Sequence, residues 1–226
     1  MRSSTEHAGA SSTERIPIGG ISIEGDLTVP DGATGVVLFA HGSGSSRFSP
    51  RNRAVAAELQ AGGLGTLLLD LLTLEEERLE AVTRHLRFNI ELLATRLVAA
   101  TVWIVHRAET SHLPIGYFGA STGAAAALVA ASERNDTVRA VVSRGGRPDL
   151  AGDALVSVEA ATLLIVGGAD TQVIALNESA YRRLRFVKQM EVIPGATHLF
   201  EEPGALERVA RLARDWFSAH LGGGAT

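Results

Sequence analysis

The stretch that most constrains this 226-residue chain is the pentapeptide Gly119-Ala120-Ser121-Thr122-Gly123. An apolar, strand-like run at 115–118 leads into it, and an alanine-rich segment follows without a break. A serine on so sharp a turn from strand to helix adopts strained backbone angles, and only small neighbours leave room for that turn. The pattern therefore predicts that the Ser121 hydroxyl stands above the edge of a sheet as a nucleophile.

Short apolar runs alternate with helical patterns along the rest of the chain. Two runs at 14–18 and 21–29, split by a pair of glycines, predict an N-terminal hairpin. Alternation of strands with helices implies right-handed crossovers and a mostly parallel, doubly wound α/β sheet. The later strands are expected at 36–40, 64–69, 115–118, 138–142, 163–166 and 190–193, and the helices at 50–60, 75–107 with a break near 88, 122–132, 178–186 and 204–220.

The length suits one domain, because the sequence shows neither an internal repeat nor an interdomain linker. We expect residues 1–13 to be a disordered leader, residues 14–221 to form the domain and residues 222–226 to be a flexible tail. The N-terminal segment lacks the apolar core of a secretory signal, and no apolar stretch is long enough to span a bilayer. These features predict a cytoplasmic protein without a membrane partner.

The composition argues against several classes of partner and functional site. The net charge is −4 and no long basic run is present, which argues against a nucleic-acid partner. The absence of cysteine excludes disulfides, a thiolate nucleophile and thiolate metal sites. Whether the protein is a monomer or a homodimer is left open by the sequence.

A serine hydroxyl needs a base within hydrogen-bond reach, and sites in open α/β sheets form beyond the carboxyl ends of the strands. His198 lies in a loop after the last predicted strand, and Asp170 emerges at the end of the strand before it. The chain order Ser121, Asp170, His198 predicts that His198 is the base and that Asp170 fixes its tautomer.

Other residues compete for these roles. His41 lies at the correct end of the sheet but begins a glycine loop, and Asp149 and Asp153 follow another strand from which an acid could reach the base. For the oxyanion we expect the backbone N–H of Thr122 and an N–H from the loop after residue 40, with Ser43 favoured over Gly44. A phosphate-binding loop is disfavoured because its third glycine and a Gly-Lys-Ser/Thr are missing.

Four segments together resemble the dienelactone hydrolase-like family of α/β-hydrolases over residues 16–221: His41-Gly42, the pentapeptide, Gly168-Ala169-Asp170 and Gly195-Ala196-Thr197-His198. The resemblance implies a single-domain α/β-hydrolase fold and a small-molecule ester substrate, with no metal or organic cofactor. Dienelactone hydrolases carry a cysteine nucleophile, whereas this chain has Ser121. The expectation therefore moves from dienelactones to a serine carboxylesterase with a Ser-His-Asp triad.

Lids in this superfamily are usually inserted after the sixth strand, and here only about twenty residues separate that strand from the next. We therefore expect no large cap domain and small to medium ester substrates. Lactone and phosphotriester hydrolysis remain alternatives, since they use a similar nucleophile and base. A noncatalytic binding module is a further alternative, because fold does not fix function.

Several residues near predicted strand ends are candidates for substrate binding. Leu72 and Phe200, with Leu71, Phe48 and Leu199, could line the pocket, or could simply pack beside it. Arg47, Arg144 and Arg147 could bind a substrate carboxylate. They could equally be solvated or pair with Asp149 and Asp153.

Overall fold

The structure is a computed structural model that describes residues 11–222. The predictions for residues 1–10 and 223–226 lie outside this range. Within it, eight strands form one sheet in the order β1-β2-β4-β3-β5-β6-β7-β8. The strands are β1 (Ser11–Ile18), β2 (Ile21–Thr28), β3 (Val36–Ala40), β4 (Gly65–Leu69), β5 (Ile115–Ala120), β6 (Val138–Arg144), β7 (Ala161–Gly167) and β8 (Lys188–Ile193).

Strands β3 to β8 are mutually parallel, and the antiparallel hairpin of β1 and β2 joins the sheet through β4. The mostly parallel sheet with an N-terminal hairpin is thus confirmed. Six α-helices flank it: α1 (Pro50–Ala61), α2 (Leu74–Thr83), α3 (Ile90–Val105), α4 (Thr122–Glu133), α5 (Thr171–Arg183) and α6 (Ala205–Leu221). No helix between residues 11 and 222 is long and apolar enough to cross a membrane.

Several element ends differ from the prediction. Strand β1 begins at Ser11, so residues 11–13, expected in the leader, instead pair with the end of β2. Helix α5 begins at Thr171, directly after Asp170, and not near 178. The long helical stretch is interrupted after α2, where Arg84 has a left-handed conformation and a short 3-10 turn follows at Leu86–Phe88. Between β6 and β7 lies only a 3-10 segment, Pro148–Ser157, so the expected absence of a large cap there is confirmed.

Each face of the sheet has its own apolar core. Helices α3, α4 and α5 cover one face, and α1 and α6 cover the other. Strand β5 is buried along its whole length between these layers. The four alanines 124–127 of α4 are fully buried, which lets the helix that follows Ser121 pack closely on the sheet. The nucleophile turn is therefore fixed between two well-packed elements.

Helix α2 is attached differently. Its only buried residue is Glu80, whereas Leu74, Leu79 and Val82 are 66%, 50% and 82% exposed. A capping box between Thr73 and Glu76 begins the helix, and polar contacts hold it to the rest of the domain. Because full burial of one leucine contributes about 1.5–3 kcal/mol, α2 gains little from the hydrophobic effect.

Candidate active site

Ser121 lies on a strained turn between β5 and α4, with φ 51° and ψ −121°. A side chain at Gly119 would overlap Ala124, and one at Gly123 would overlap the Ala40 carbonyl oxygen. The Ser121 carbonyl accepts hydrogen bonds from the backbone N–H groups of Ala124 (3.1 Å) and Arg147 (3.0 Å). Glycine is therefore required at both flanking positions, and the surrounding backbone stabilises the unusual conformation of the serine.

His198 and Asp170 are in direct contact at the ends of β8 and β7. The Nδ1 of His198 lies 2.7 Å from the Asp170 Oδ2. The two loops are joined by backbone bonds, among them Ala169 N–H to the Ala196 carbonyl at 2.9 Å. Because a carboxylate only accepts, the proton of a neutral imidazole is placed on Nδ1, which leaves Nε2 free to take a proton.

The rival aspartates are engaged elsewhere. Asp149 accepts two hydrogen bonds from the Arg147 guanidinium, at 2.9 and 2.8 Å, and Asp153 pairs with Arg183 at 2.7 Å. Neither of them contacts His198 within the described range. Of the three aspartates considered from the sequence, only Asp170 has the geometry to orient the histidine.

Ser121 and His198 line one cleft of about 460 Å³. No hydrogen bond joins the Ser121 hydroxyl to His198 in the described part of the chain, a common situation in sites without substrate. The remaining wall of this catalytic cleft is formed by Ser43, Arg84, Arg87, Phe88, Thr122, Arg147 and Val173. No group of three or more potential metal-ligating side chains occurs between residues 11 and 222.

Thr122 and Ser43, the two residues predicted to donate to the oxyanion, both line the cleft beside Ser121. Thr122 is the first residue of α4, so its N–H has no partner within the helix and lies at the positive end of the helix dipole. The loop after β3 passes so close that a Cβ at Gly42 would be 3.0 Å from the Ser121 Cβ. Ser43 follows directly, and its hydroxyl lies 3.1 Å from that of Thr122. Ser43 and Thr122 therefore lie close to Ser121, and their role as oxyanion donors stays a prediction.

His41 has a different role from that of a base. It is buried, and its Nε2 accepts a hydrogen bond from the Leu71 N–H (3.1 Å) while Nδ1 lies 2.9 Å from the Gly42 carbonyl. Burial lowers the pKa of His41, so its neutral form is favoured. The ring thus connects the end of β4 to the loop that carries Ser43.

Two of the arginines expected to bind substrate do not line the catalytic cleft. Arg47 forms ion pairs with Asp70 and Glu24 and borders a separate cavity. Arg144 is the last residue of β6, not a loop residue, and it points toward α1, where it donates to the Asn52 Oδ1 at 3.2 Å. Burial lowers the pKa of Arg144 to about 10, with the nearby Arg51 charge contributing.

The two apolar candidates also differ from expectation. Phe200 is 1% exposed and belongs to the core beneath α1 and α6, so the prediction that it lines the substrate pocket is wrong. Leu72 lines a cavity next to the catalytic cleft. Leu71 is fully buried, Leu199 is partly exposed, and Phe48 stacks on the Arg47 guanidinium at 4.2 Å.

Sequence reasoning missed two arginines of the catalytic cleft, Arg84 and Arg87, and found only Arg147. Arg87 is paired with Glu80, and Arg147 with Asp149. Arg84 forms no ion pair with any residue in 11–222. The sequence signal for Arg84 is the predicted helix break near residue 88. A chain that turns at the carboxyl edge of the sheet brings the charged side chains of that turn over the site.

No family model matches the chain. A solved structure of a dienelactone hydrolase from Anabaena variabilis is 60% identical, covers 95% of this chain and 99% of its own, and superimposes with a TM-score of 0.93. A dienelactone hydrolase-like promiscuous phosphotriesterase from metagenomic libraries has a TM-score of 0.75 at 18% identity, over 94% of this chain and 99% of its own. That second likeness concerns the fold alone.

Two curated relatives come from strains of Mycobacterium tuberculosis and are provisionally named phosphoribosyl transferases. Each is 58% identical over 209 residues, which is 92% of this chain but 46% of the relative. The chain therefore spans about half the length of the curated relatives it matches.

Proposed function

This chain belongs to the dienelactone hydrolase-like family of α/β-hydrolases, and from that premise we propose that it is a serine carboxylesterase for small to medium esters. The observation that carries the proposal is the 2.7 Å contact between Asp170 and His198 at a cleft that Ser121 also lines. A nucleophile, a base and a group that orients the base are the parts that acyl transfer requires.

In the first step the Ser121 Oγ attacks the ester carbonyl carbon, and its proton passes to the Nε2 of His198. We infer that the Ser121–His198 hydrogen bond forms when an ester fills the cleft. Asp170 stabilises the imidazolium, and the backbone N–H groups of Thr122 and Ser43 donate to the oxyanion. When the carbon–oxygen bond to the alcohol breaks, His198 returns its proton to the leaving oxygen.

In the second step a water molecule attacks the acyl group on Ser121 while His198 takes one of its protons. The tetrahedral intermediate collapses, the acid leaves, and the proton returns to the serine oxygen. The same N–H donors stabilise the oxyanion of both steps.

The test is covalent labelling with a fluorophosphonate, followed by peptide mapping and assays with an activated ester. We expect a single adduct on Ser121, loss of labelling in His198→Gln, and loss of nearly all turnover in Ser121→Ala. Ser111→Ala, at the opposite end of the sheet, is the matched control and should label and turn over normally. Substantial ester turnover by Ser121→Ala would overturn the proposal.

Lactone hydrolysis is the second candidate, favoured by the name of the Anabaena relative at 60% identity. The same residues would open a lactone, with the leaving alcohol remaining attached to the acyl group. Comparing kcat/KM for a lactone and for the open ester of the same acid decides between the two. Phosphotriesters belong in the same screen.

The name of the mycobacterial relatives describes proteins about twice as long as the matched region. We therefore do not extend the transferase activity to this chain. A binding module without catalysis would give ligand binding in a thermal-shift assay without labelling of Ser121.

A further inference from the structure

A second cavity of about 330 Å³, which we call the loop chamber, opens beside the catalytic cleft. The loop 42–46 forms one side and α2 lies across from it. The loop chamber shares Ser43, Arg87 and Thr122 with the catalytic cleft. The two cavities are therefore adjacent, and a substrate held at Ser121 lies beside the loop chamber.

One wall of the loop chamber offers hydrogen-bonding groups that the protein itself leaves unused. The Glu77 carboxylate forms no hydrogen bond or ion pair with any residue in the described range, and the same holds for the hydroxyl of Ser45. The Ser46 hydroxyl oxygen accepts from the Phe48 N–H at 3.2 Å, which leaves its proton available. This wall thus combines a charged acceptor with hydroxyl donors.

A further proton is available where the loop chamber meets the catalytic cleft. The Ser43 and Thr122 hydroxyls are 3.1 Å apart, so one donates to the other and the second proton remains without an acceptor among residues 11–222. Thr122 is only 3% exposed. Whichever of the two hydroxyls keeps the free proton, a ligand oxygen at the junction would accept it.

His41 and Glu80, two further polar residues of the loop chamber, are already engaged by the protein. Both ring nitrogens of His41 contact backbone groups, and Glu80 accepts from Arg87 and from the Leu86 N–H. The remaining wall is apolar and includes Leu72 and Leu93. Burial raises the pKa of Glu77, the Asp70 charge raises it further and the Arg47 charge lowers it, with a net rise, so hydroxyl donors would stabilise its charged form.

We propose that the loop chamber binds a polyhydroxylated part of the ester substrate, with Glu77 accepting hydrogen bonds from neighbouring hydroxyls. A polyol presents hydroxyl edges to the polar wall and C–H groups to Leu72 and Leu93. This inference rests on the proposed function, because Ser121 at the junction is the group that would react with the ester.

The first experiment compares kcat/KM for the glyceryl, propyl and choline esters of butyric acid, which share one acyl group. We expect the glyceryl ester to be preferred over the propyl ester by about tenfold, equivalent to one or two net hydrogen bonds. In Glu77→Ala the ratio should fall to about one, whereas Glu75→Ala, an exposed change on the same helix, should keep it. Equal rates for glyceryl and propyl esters, or an unchanged ratio in Glu77→Ala, overturn the proposal. A preference for the choline ester also overturns it, in favour of a cation site.

The second experiment measures binding without turnover. Calorimetry with Ser121→Ala should give tighter binding of glyceryl butyrate than of propyl butyrate, and adding Glu77→Ala should remove the difference. If the wild-type protein hydrolyses no ester but this binding preference is present, the proposed esterase function is wrong, whereas the proposal that the loop chamber binds polyols is supported. If esters are hydrolysed but binding shows no preference, the loop chamber proposal fails alone.

Discussion

The two halves of the candidate site are built in different ways. Ser121, Asp170 and His198 lie on turns that are fixed by the sheet, where added Cβ atoms would overlap backbone. Arg84 and Glu77 belong to α2 and the turn after it, which bury almost no apolar surface. Our proposals thus assign the chemistry to the rigid half and the selection of the substrate to the weakly packed half.

This difference has a physical reason. Acyl transfer needs its groups held within a fraction of an ångström, which close packing against strands provides. Substrate selection tolerates looser elements, because a surface segment can change its side chains without disturbing the core. Substitutions in the rigid half should therefore cause large losses of unfolding free energy or kcat. Substitutions in the weakly packed half should cause smaller changes, mainly in KM.

The largest effect is expected at Gly123. Replacement by alanine places a Cβ against the carbonyl oxygens of Ala40 and His41, neither of which can move without distorting β3. We expect Gly123→Ala to lose more than about 5 kcal/mol of unfolding free energy, the range of the most severe single lesions. Urea denaturation measures it. Gly20→Ala, where a Cβ would meet nothing within 4 Å, is the control and should stay near wild type.

The second effect is catalytic. Asp170→Asn keeps the shape of the side chain but stabilises the wrong tautomer of His198, so kcat for an activated ester should fall by about 10,000-fold with the fold intact. Asp153→Asn, which removes only an exposed pair with Arg183, is the matched control. A comparable loss of kcat in both variants would contradict the assignment of Asp170.

In the weakly packed half, the largest effect is expected at Arg84. Arg84 faces the catalytic cleft without an ion pair in the described range, so it is available to a substrate anion. Arg84→Ala should raise KM by about tenfold for an ester that carries a carboxylate, the effect of one charged hydrogen bond, and should leave a neutral ester unaffected. Arg78→Ala, on α2 but outside the cleft, provides the comparison. An equal rise for both esters would exclude anion recognition by Arg84.

The fourth prediction concerns His41 at the boundary of the two halves. Burial lowers its pKa in the folded state below the ordinary value of 6.5, so the unfolded chain binds the proton more readily. The contribution of His41 is complete above about pH 6.5 and is lost as the pH falls toward the lowered folded pKa, by up to about 1.4 kcal/mol per pH unit.

Urea unfolding of wild type and His41→Gln at pH 7.5 and 5.5 measures this loss, because glutamine does not titrate. The drop in unfolding free energy should be smaller in His41→Gln than in wild type. Equal drops would show that His41 does not contribute to the pH dependence.

Residues with local constraints were predictable from the sequence. The glycines around Ser121 follow from the sterics of one turn, and Asp170 and His198 follow from strand ends and chain order. Arg84 and Glu77 were not, since their location depends on how α2 crosses the edge of the sheet, a long-range property. Residues 11–13 were missed because an exposed edge strand shows no apolar pattern.

Arg144 and Phe200 show a second limit. Both lie near the carboxyl edge, yet their side chains turn to the face covered by α1 and α6. Arg144 ends a strand that is buried on both faces, where hydrophobicity does not alternate, so the sequence gives no indication of which face its side chain joins. Phe200 lies in the loop after β8, and the path of that loop depends on long-range packing. The position of a residue along a parallel strand was predictable, but its face was not.

The smallest effect is expected on the outer surface of α2. Leu79 is 50% exposed, so Leu79→Gln should change the unfolding free energy by less than about 0.5 kcal/mol. Leu97→Ala in α3, at a fully buried position, should cost about 2–5 kcal/mol. Hydrogen exchange should likewise be faster for the amides of α2 than for those of α4, because local opening exposes so little apolar surface. If Leu79→Gln is as destabilising as Leu97→Ala, α2 is packed as firmly as the sheet, and the contrast between the two halves of the site does not hold.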